Sequence, residues 1–298
     1  MIRTALLIAL AAAPAAAEPR VAVDIAPVAS IAARVMAGLG EPEPILPPGA
    51  SPHGYALRPS EAARLQGAEI VLWVGPALTP WLAEPIDALA SGTRLVTLGD
   101  LPGLTLLPPR GGETFEPHEH DHDDGHGAID PHLWLDPDNG AAIATALASA
   151  LGEADPANAD AYAANARGFA AEMEMLSADI ADILAPVRDR RFIVFHDAYQ
   201  YFERRFELPA AASVVLQDGA APGAARVREL RDLLRPEDIA CAFAEPQFEP
   251  RLLATLTEGT DVRTATLDPL GADLAPGPSL YPELLTSIAT SLATCLGS

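Results

Sequence analysis

The sequence predicts an α/β protein of two halves, each a mostly parallel sheet flanked by helices, joined by one long helix. Three observations predict it. Short apolar runs alternate with helical patterns along most of the 298 residues, which is the rhythm of parallel α/β structure. A single long helical pattern from Asp155 to about Ala185 interrupts that rhythm, and an equivalent set of runs follows it. Hydrophobic residues make up 49% of the chain, enough to bury a real core.

Residues 1–17, "MIRTALLIALAAAPAAA", read as an export signal. Arg3 is the charged start, "ALLIALAAA" the apolar centre, and Ala15–Ala17 a small-residue cleavage site, with cleavage expected after Ala17. The apolar run is shorter than the ~20 residues that span a bilayer, and no later segment is long and apolar enough. No cysteine follows it to carry a lipid. The mature protein is therefore expected to be exported and soluble, without stable membrane insertion.

The first half is expected over 18–154. "RVAVDI" (20–25) is a strand, and Pro27 starts a helix to about Leu39. "EPILP" is a short strand. "SEAARLQG" is a helix with Ser60 as N-cap and Gly67 at its end. "EIVLWVG" (69–75) is apolar throughout, as a central parallel strand should be. "PWLAEPIDALA" is helical and "RLVTL" a strand. Residues 100–130 break the pattern, and long loops of this kind are usually functional or disordered. Asp136-Pro137 then caps and starts a helix.

Asp155-Pro156 does the same for the linking helix, assigned to 155–187. Its apolar residues Leu176, Ile180 and Ile183/Leu184 recur at helical spacing. The second half, 188–298, runs through strand "RFIVFH" (191–196), helix "DAYQYFERRF", strand "ASVVLQ" and helix "GAARVRELRDLL". Strand "IACAFAE", helix "EPRLLATLTEG", strand "VRTATLD" and the final helix "LYPELLTSIATSLATCL" complete it.

All 19 basic residues are arginine, against 41 acids, for a net charge of −22. Such a field repels nucleic acid and anionic membranes and suits a cationic ligand. Four of the seven histidines, His118, His120, His122 and His126, lie in an acidic stretch at 111–128. Histidines alternating with carboxylates bind metal weakly; the bland alternative is a solvated linker. The other three occupy a different kind of position. His53 sits in a loop between strand and helix, His132 just before a helix start, and His196 at the end of an apolar strand. Asp268 ends the last strand. In open α/β sheets, ligands bind beyond the carboxyl ends of the strands. Four metal ligands, two per half, would meet in a cleft between the halves. Three imidazoles and a carboxylate suit tetrahedral Zn²⁺. Each residue alone is more often a cap or core group than a ligand, so the weight rests on the set. Glu245 in "FAEPQF" could support a ligand histidine or simply start a helix. There is no H-E-x-x-H, G-x-S-x-G or P-loop. Cys241 and Cys295 are an even pair in an exported chain, which favours a disulfide over two buried thiols.

These residues also carry a resemblance. "LPPGASPHGYALRPSEAARLQGAEIVLWVGP", "DPHLWLDP", "FIVFHDAYQYF", "FAEPQFEP" and "TATLDPLGADL" resemble the zinc-binding periplasmic solute-binding proteins of ABC-type zinc importers. The resemblance spans most of the mature chain. It implies two α/β lobes joined by a rigid backbone helix, with zinc between them. It carries ligand roles to His53, His132 and His196, with His196 favouring zinc over manganese, and it matches a family disulfide to Cys241 and Cys295. Some members place a glutamate ligand just before the first histidine; here that position is Pro52. The fourth ligand is then Asp268, or water with Asp268 behind it. The expected function is periplasmic capture of Zn²⁺ by a monomer that delivers it to an inner-membrane ABC permease. Two other classes fit a three-histidine zinc site: a secreted zinc hydrolase, and a zinc buffer or metallochaperone that meets no permease.

Overall fold

A computed structural model describes residues 18–110, 114–115, 129–215, 223–234, 239–248 and 251–298. The expected export signal and its cleavage site lie outside the described residues. No helix among the described residues is long and apolar enough to cross a membrane.

The first half contains β1 (Val21–Val23), α1 (Ala26–Val35), β2 (Glu43–Pro44), α2 (Pro59–Gly67), β3 (Ile70–Trp73), α3 (Ala83–Leu89), β4 (Arg94–Thr97) and α4 (Pro137–Ala154). α1 stops earlier than its apolar pattern suggests. The Met36 N–H closes on Ala32, and Gly38 takes a left-handed φ of 79° that ends the helix. Ser60 is inside α2 and does not cap it. Pro59 opens the helix with its fixed φ, and the Glu61 carboxylate accepts the Arg58 N–H at 2.7 Å. Asp136 does cap α4, accepting from the Asp138 N–H at 2.9 Å.

A 3₁₀ turn at Pro156–Asn158 leads into α5 (Ala159–Leu184), the long helix between the halves. Asp155 precedes this turn and accepts hydrogen bonds from Asn158 and Tyr162. Tyr162, Ala166, Phe169, Met173, Ser177, Ile180 and Leu184 form one buried stripe at steps of three and four. The stripe packs on α1 and α4 from the first half and on the last helix from the second.

The second half contains β5 (Arg191–His196), α6 (Gln200–Phe206), β6 (Ala212–Val215), α7 (Ala224–Leu234), β7 (Ile239–Ala244), α8 (Arg251–Thr257), β8 (Arg263–Thr266) and α9 (Leu280–Leu296). α6 begins at Gln200 and not at 197; Asp197, ahead of it, lies 3.3 Å from Arg110 of the first half. Cys241 on β7 and Cys295 on α9 form a disulfide.

Both sheets are four-stranded and parallel with the same order, β2-β1-β3-β4 and β6-β5-β7-β8. In each, the order reverses between the first and third strands of the half. That reversal opens a crevice at the carboxyl ends of β1 and β3, and again at those of β5 and β7. The main core runs through both halves, joining residues such as Val28, Phe169, Phe192 and Leu285. One close approach depends on glycine. Gly140 on α4 has no side chain, so the Tyr281 ring of α9 packs onto the α4 backbone, and its hydroxyl donates to the Trp134 carbonyl at 2.6 Å.

Candidate metal centre

The two crevices are filled differently, and the difference makes the site. At the end of β1, Asp24 is fully buried and accepts from the Ile25 and Val74 N–H groups at 2.9 and 2.8 Å. Its carboxylate ties β1 to β3, and burial pushes its pKa up to about 7. At the equivalent place in the second half, His196 ends β5 and Glu245 follows β7. Both Glu245 oxygens lie 3.1 Å from His196 Nδ1. The other ring nitrogen, Nε2, therefore points away from the sheet.

His132 is aimed in the same way from the first half. It stands before the 3₁₀ turn Leu133–Leu135 that leads to α4. Asp130 accepts both its backbone N–H at 3.0 Å and its Nδ1 at 2.8 Å. His132 Nε2 then meets His196 Nε2 at 3.2 Å. Ligand nitrogens about 2.0–2.1 Å from a tetrahedral zinc would be separated by about 3.3 Å. His53 completes the group from the loop between β2 and α2. Trp81 Nε1 holds that loop by donating to the Pro52 carbonyl at 2.7 Å. Tyr55 packs edge-on to Trp81, and its hydroxyl donates to Glu61 at 2.8 Å.

One ring nitrogen from each of His53, His132 and His196 lies within 4.8 Å of the other two. His132 and His196 are buried, and His53 is half-buried. The cavity they line, with Trp134, Glu245, Gln247 and Phe248 among its walls, measures about 10 Å³. That is on the order of one water-sized sphere. The arrangement has room for a metal ion and none for an organic substrate.

The structure brings together His53, His132, His196 and Glu245, and leaves Asp268 outside the group. Asp268 lies two residues beyond β8. Its carboxylate accepts from the Leu270 and Ala272 backbone N–H groups and from Gln247 Nε2 at 3.1 Å. Three donors turn it into the cap of its own loop. His118, His120, His122 and His126 lie outside the described residues.

Four contributors were missed by reading the sequence. Asp130 gave a local signal, since an Asp two residues before a ligand histidine can accept that residue's backbone N–H. Burial pushes its pKa up to about 6, opposed by the His132 N–H and by Arg110. Arg110 gave no signal. Its side chain is 15% exposed and reaches Asp197 at 3.3 Å and Glu203 at 2.5 Å. Its guanidinium carbon lies 4.0 Å from the centre of the Phe115 ring. Asp197, the residue after His196, has its pKa pushed up to about 7 by burial, with Arg110 pulling the other way. Gln247 is the fourth, and its Nε2 donates to Asp268.

Comparison with known proteins gives a consistent picture. The family model for zinc-uptake complex component A, periplasmic, matches residues 21–295. The high-affinity zinc uptake system protein ZnuA of Brucella abortus (strain 2308) is 41% identical, over 93% of this chain and 91% of that protein. The protein of the same name from Paracoccus denitrificans is 42% identical, over 97% and 95%. A crystal structure of ZnuA superposes with a TM-score of 0.78 at 27% identity, covering 93% of this chain and 98% of that one. A zinc-bound deletion mutant of ZnuA gives 0.76.

Proposed function

This chain belongs to the family of periplasmic zinc-uptake complex component A proteins, and on that premise we propose that it holds one Zn²⁺ between His53, His132 and His196 for delivery to an ABC permease. It is a transport binding protein and not an enzyme, and the ion is its cargo. The single observation that carries the ligand assignment is three convergent imidazoles around a cavity of about one-ion size. Neutral imidazole is the ligand form. Asp130 and Glu245 each accept an Nδ1–H, which fixes the tautomer and presents Nε2 to the ion. His53 is the most exposed of the three and rides on a loop, so the ion enters and leaves on its side.

The hydrolase alternative would need space beside the metal for a substrate, and a cavity of about 10 Å³ offers none. The buffer alternative has no support from the relatives, which are named as parts of zinc uptake systems. In finer detail, we propose that the chain is cleaved after Ala17, acts as a monomer, and uses His118, His120, His122 and His126 for loose accessory capture. We divide it into lobes at 18–154 and 188–298, with 155–187 between them.

The test is zinc titration of the metal-free protein against a competing chelator. Wild type and a variant lacking 116–128 should each bind one ion tightly. His196→Ala should weaken binding by more than about 100-fold, beyond what losing a supporting carboxylate costs. Tight binding in His196→Ala would overturn the assignment.

A further inference from the structure

With Asp268 acting as a loop cap, the fourth side of the cluster needs another donor. Gln247 lies on the turn after β7, two residues past Glu245, and lines the same cavity as the three histidines. Its Nε2 donates to Asp268 Oδ1 at 3.1 Å. That contact fixes the amide: a carboxylate accepting from two backbone N–H groups takes the nitrogen, so the oxygen faces the other way. Gln247 Oε1 is buried and has no hydrogen-bond partner among the described residues. Buried acceptors are rarely left so, and each one calls for an explanation. The Gln247 oxygen is a buried, unpaired acceptor on a residue that walls a cavity suited to a cation.

We infer that the side-chain oxygen of Gln247 is the fourth donor to the ion, and that Asp268 is the positioning residue that orients it. The inference rests on the proposed three-histidine site. It makes the donor set three imidazoles and one neutral oxygen, so the ion keeps its full double charge in the protein. A neutral set holds zinc less tightly than one with a carboxylate, which suits a cargo that must be released. The excess of acids over bases, 41 to 19, offsets the retained charge from a distance.

The test uses the full mature chain with Zn²⁺ and, as a spectroscopic probe, Co²⁺. Gln247→Leu should lower zinc affinity by about tenfold or more and shift the visible Co²⁺ bands as an oxygen donor is lost. Gln247→Glu, the same size with a charge, should raise zinc affinity and also shift the bands; it serves if the leucine variant folds poorly. Asp268→Asn keeps an acceptor for Gln247 and should change affinity less than Gln247→Leu does. Unchanged Co²⁺ bands in both Gln247 variants would overturn the inference. A larger loss in Asp268→Asn than in Gln247→Leu would overturn it too, and would make Asp268 the ligand. Tight binding in His196→Ala would instead fault the underlying site, so the two failures are distinguishable.

Discussion

His132 and His196 are aimed by carboxylates of different origin. Asp130 is two residues from its histidine and accepts from both backbone and ring, so one short stretch orients that side chain. Glu245 is 49 residues from His196 and reaches it only because β5 and β7 are neighbours in the sheet. Removing the Glu245 charge should therefore weaken zinc without abolishing binding. Gln still accepts the Nδ1–H, but it makes the imidazole a poorer donor. Glu245→Gln should lower zinc affinity by about 10- to 100-fold, measured by chelator competition. A loss as complete as that of His196→Ala would mean that Glu245 itself touches the ion. His196 was readable as a candidate because it ends an apolar strand. Asp268 shares that description and is not in the cluster, because its carboxylate is used by the backbone of 270–272.

β7 is the element on which the second half of the site depends. Its buried strand leads directly to Glu245 and Gln247, and the Cys241–Cys295 disulfide fastens it to α9. The bridge closes a separation of 54 residues, for which loop-closure entropy gives about 4 kcal/mol, an upper figure since measured values are typically ~2–4. The double variant Cys241→Ala, Cys295→Ala should lose about that much in urea unfolding. A loss near zero would mean that α9 packing alone holds β7. The strands were legible because buried parallel strands are continuous apolar runs. Helix ends were less so. α1 and α6 differ from their apolar patterns: the left-handed Gly38 ends one, and the other starts only at Gln200.

Across the whole molecule, the halves are tied together beside the site as well as through α5. Arg110 of the first half pairs with Asp197 and Glu203 of the second. Tyr201 of the second half donates to the Asp130 carbonyl at 2.9 Å, and Trp134 of the first donates to the Pro269 carbonyl at 2.8 Å. The Phe115 N–H, on the far side of Arg110, bonds to Ala211 beside the edge strand β6. Arg110 is the more buried cation among these ties; Arg205 of the second half also pairs with Asp138 of the first at 2.9 Å. Arg110→Met keeps the stem and removes the charge, leaving two buried carboxylates without their partner. It should cost about 3–5 kcal/mol in chemical denaturation. A cost under about 1 kcal/mol would place the pair in the class of weak surface bridges.

The sequence by itself determined the alternation of strands and helices, the long helix, the three histidines that come together and a charge that suits a cationic ligand. These are written in local periodicity, in residues at strand ends and in net charge, all of which survive without knowing what lies next to what. Only the tertiary structure decided which oxygen groups serve the histidines. Strand order brings Glu245 to His196, and the Leu270 and Ala272 N–H groups together with Gln247 Nε2 occupy the Asp268 carboxylate. A side chain's direction beyond a strand end depends on hydrogen bonds from distant segments, and no spacing along the chain encodes it.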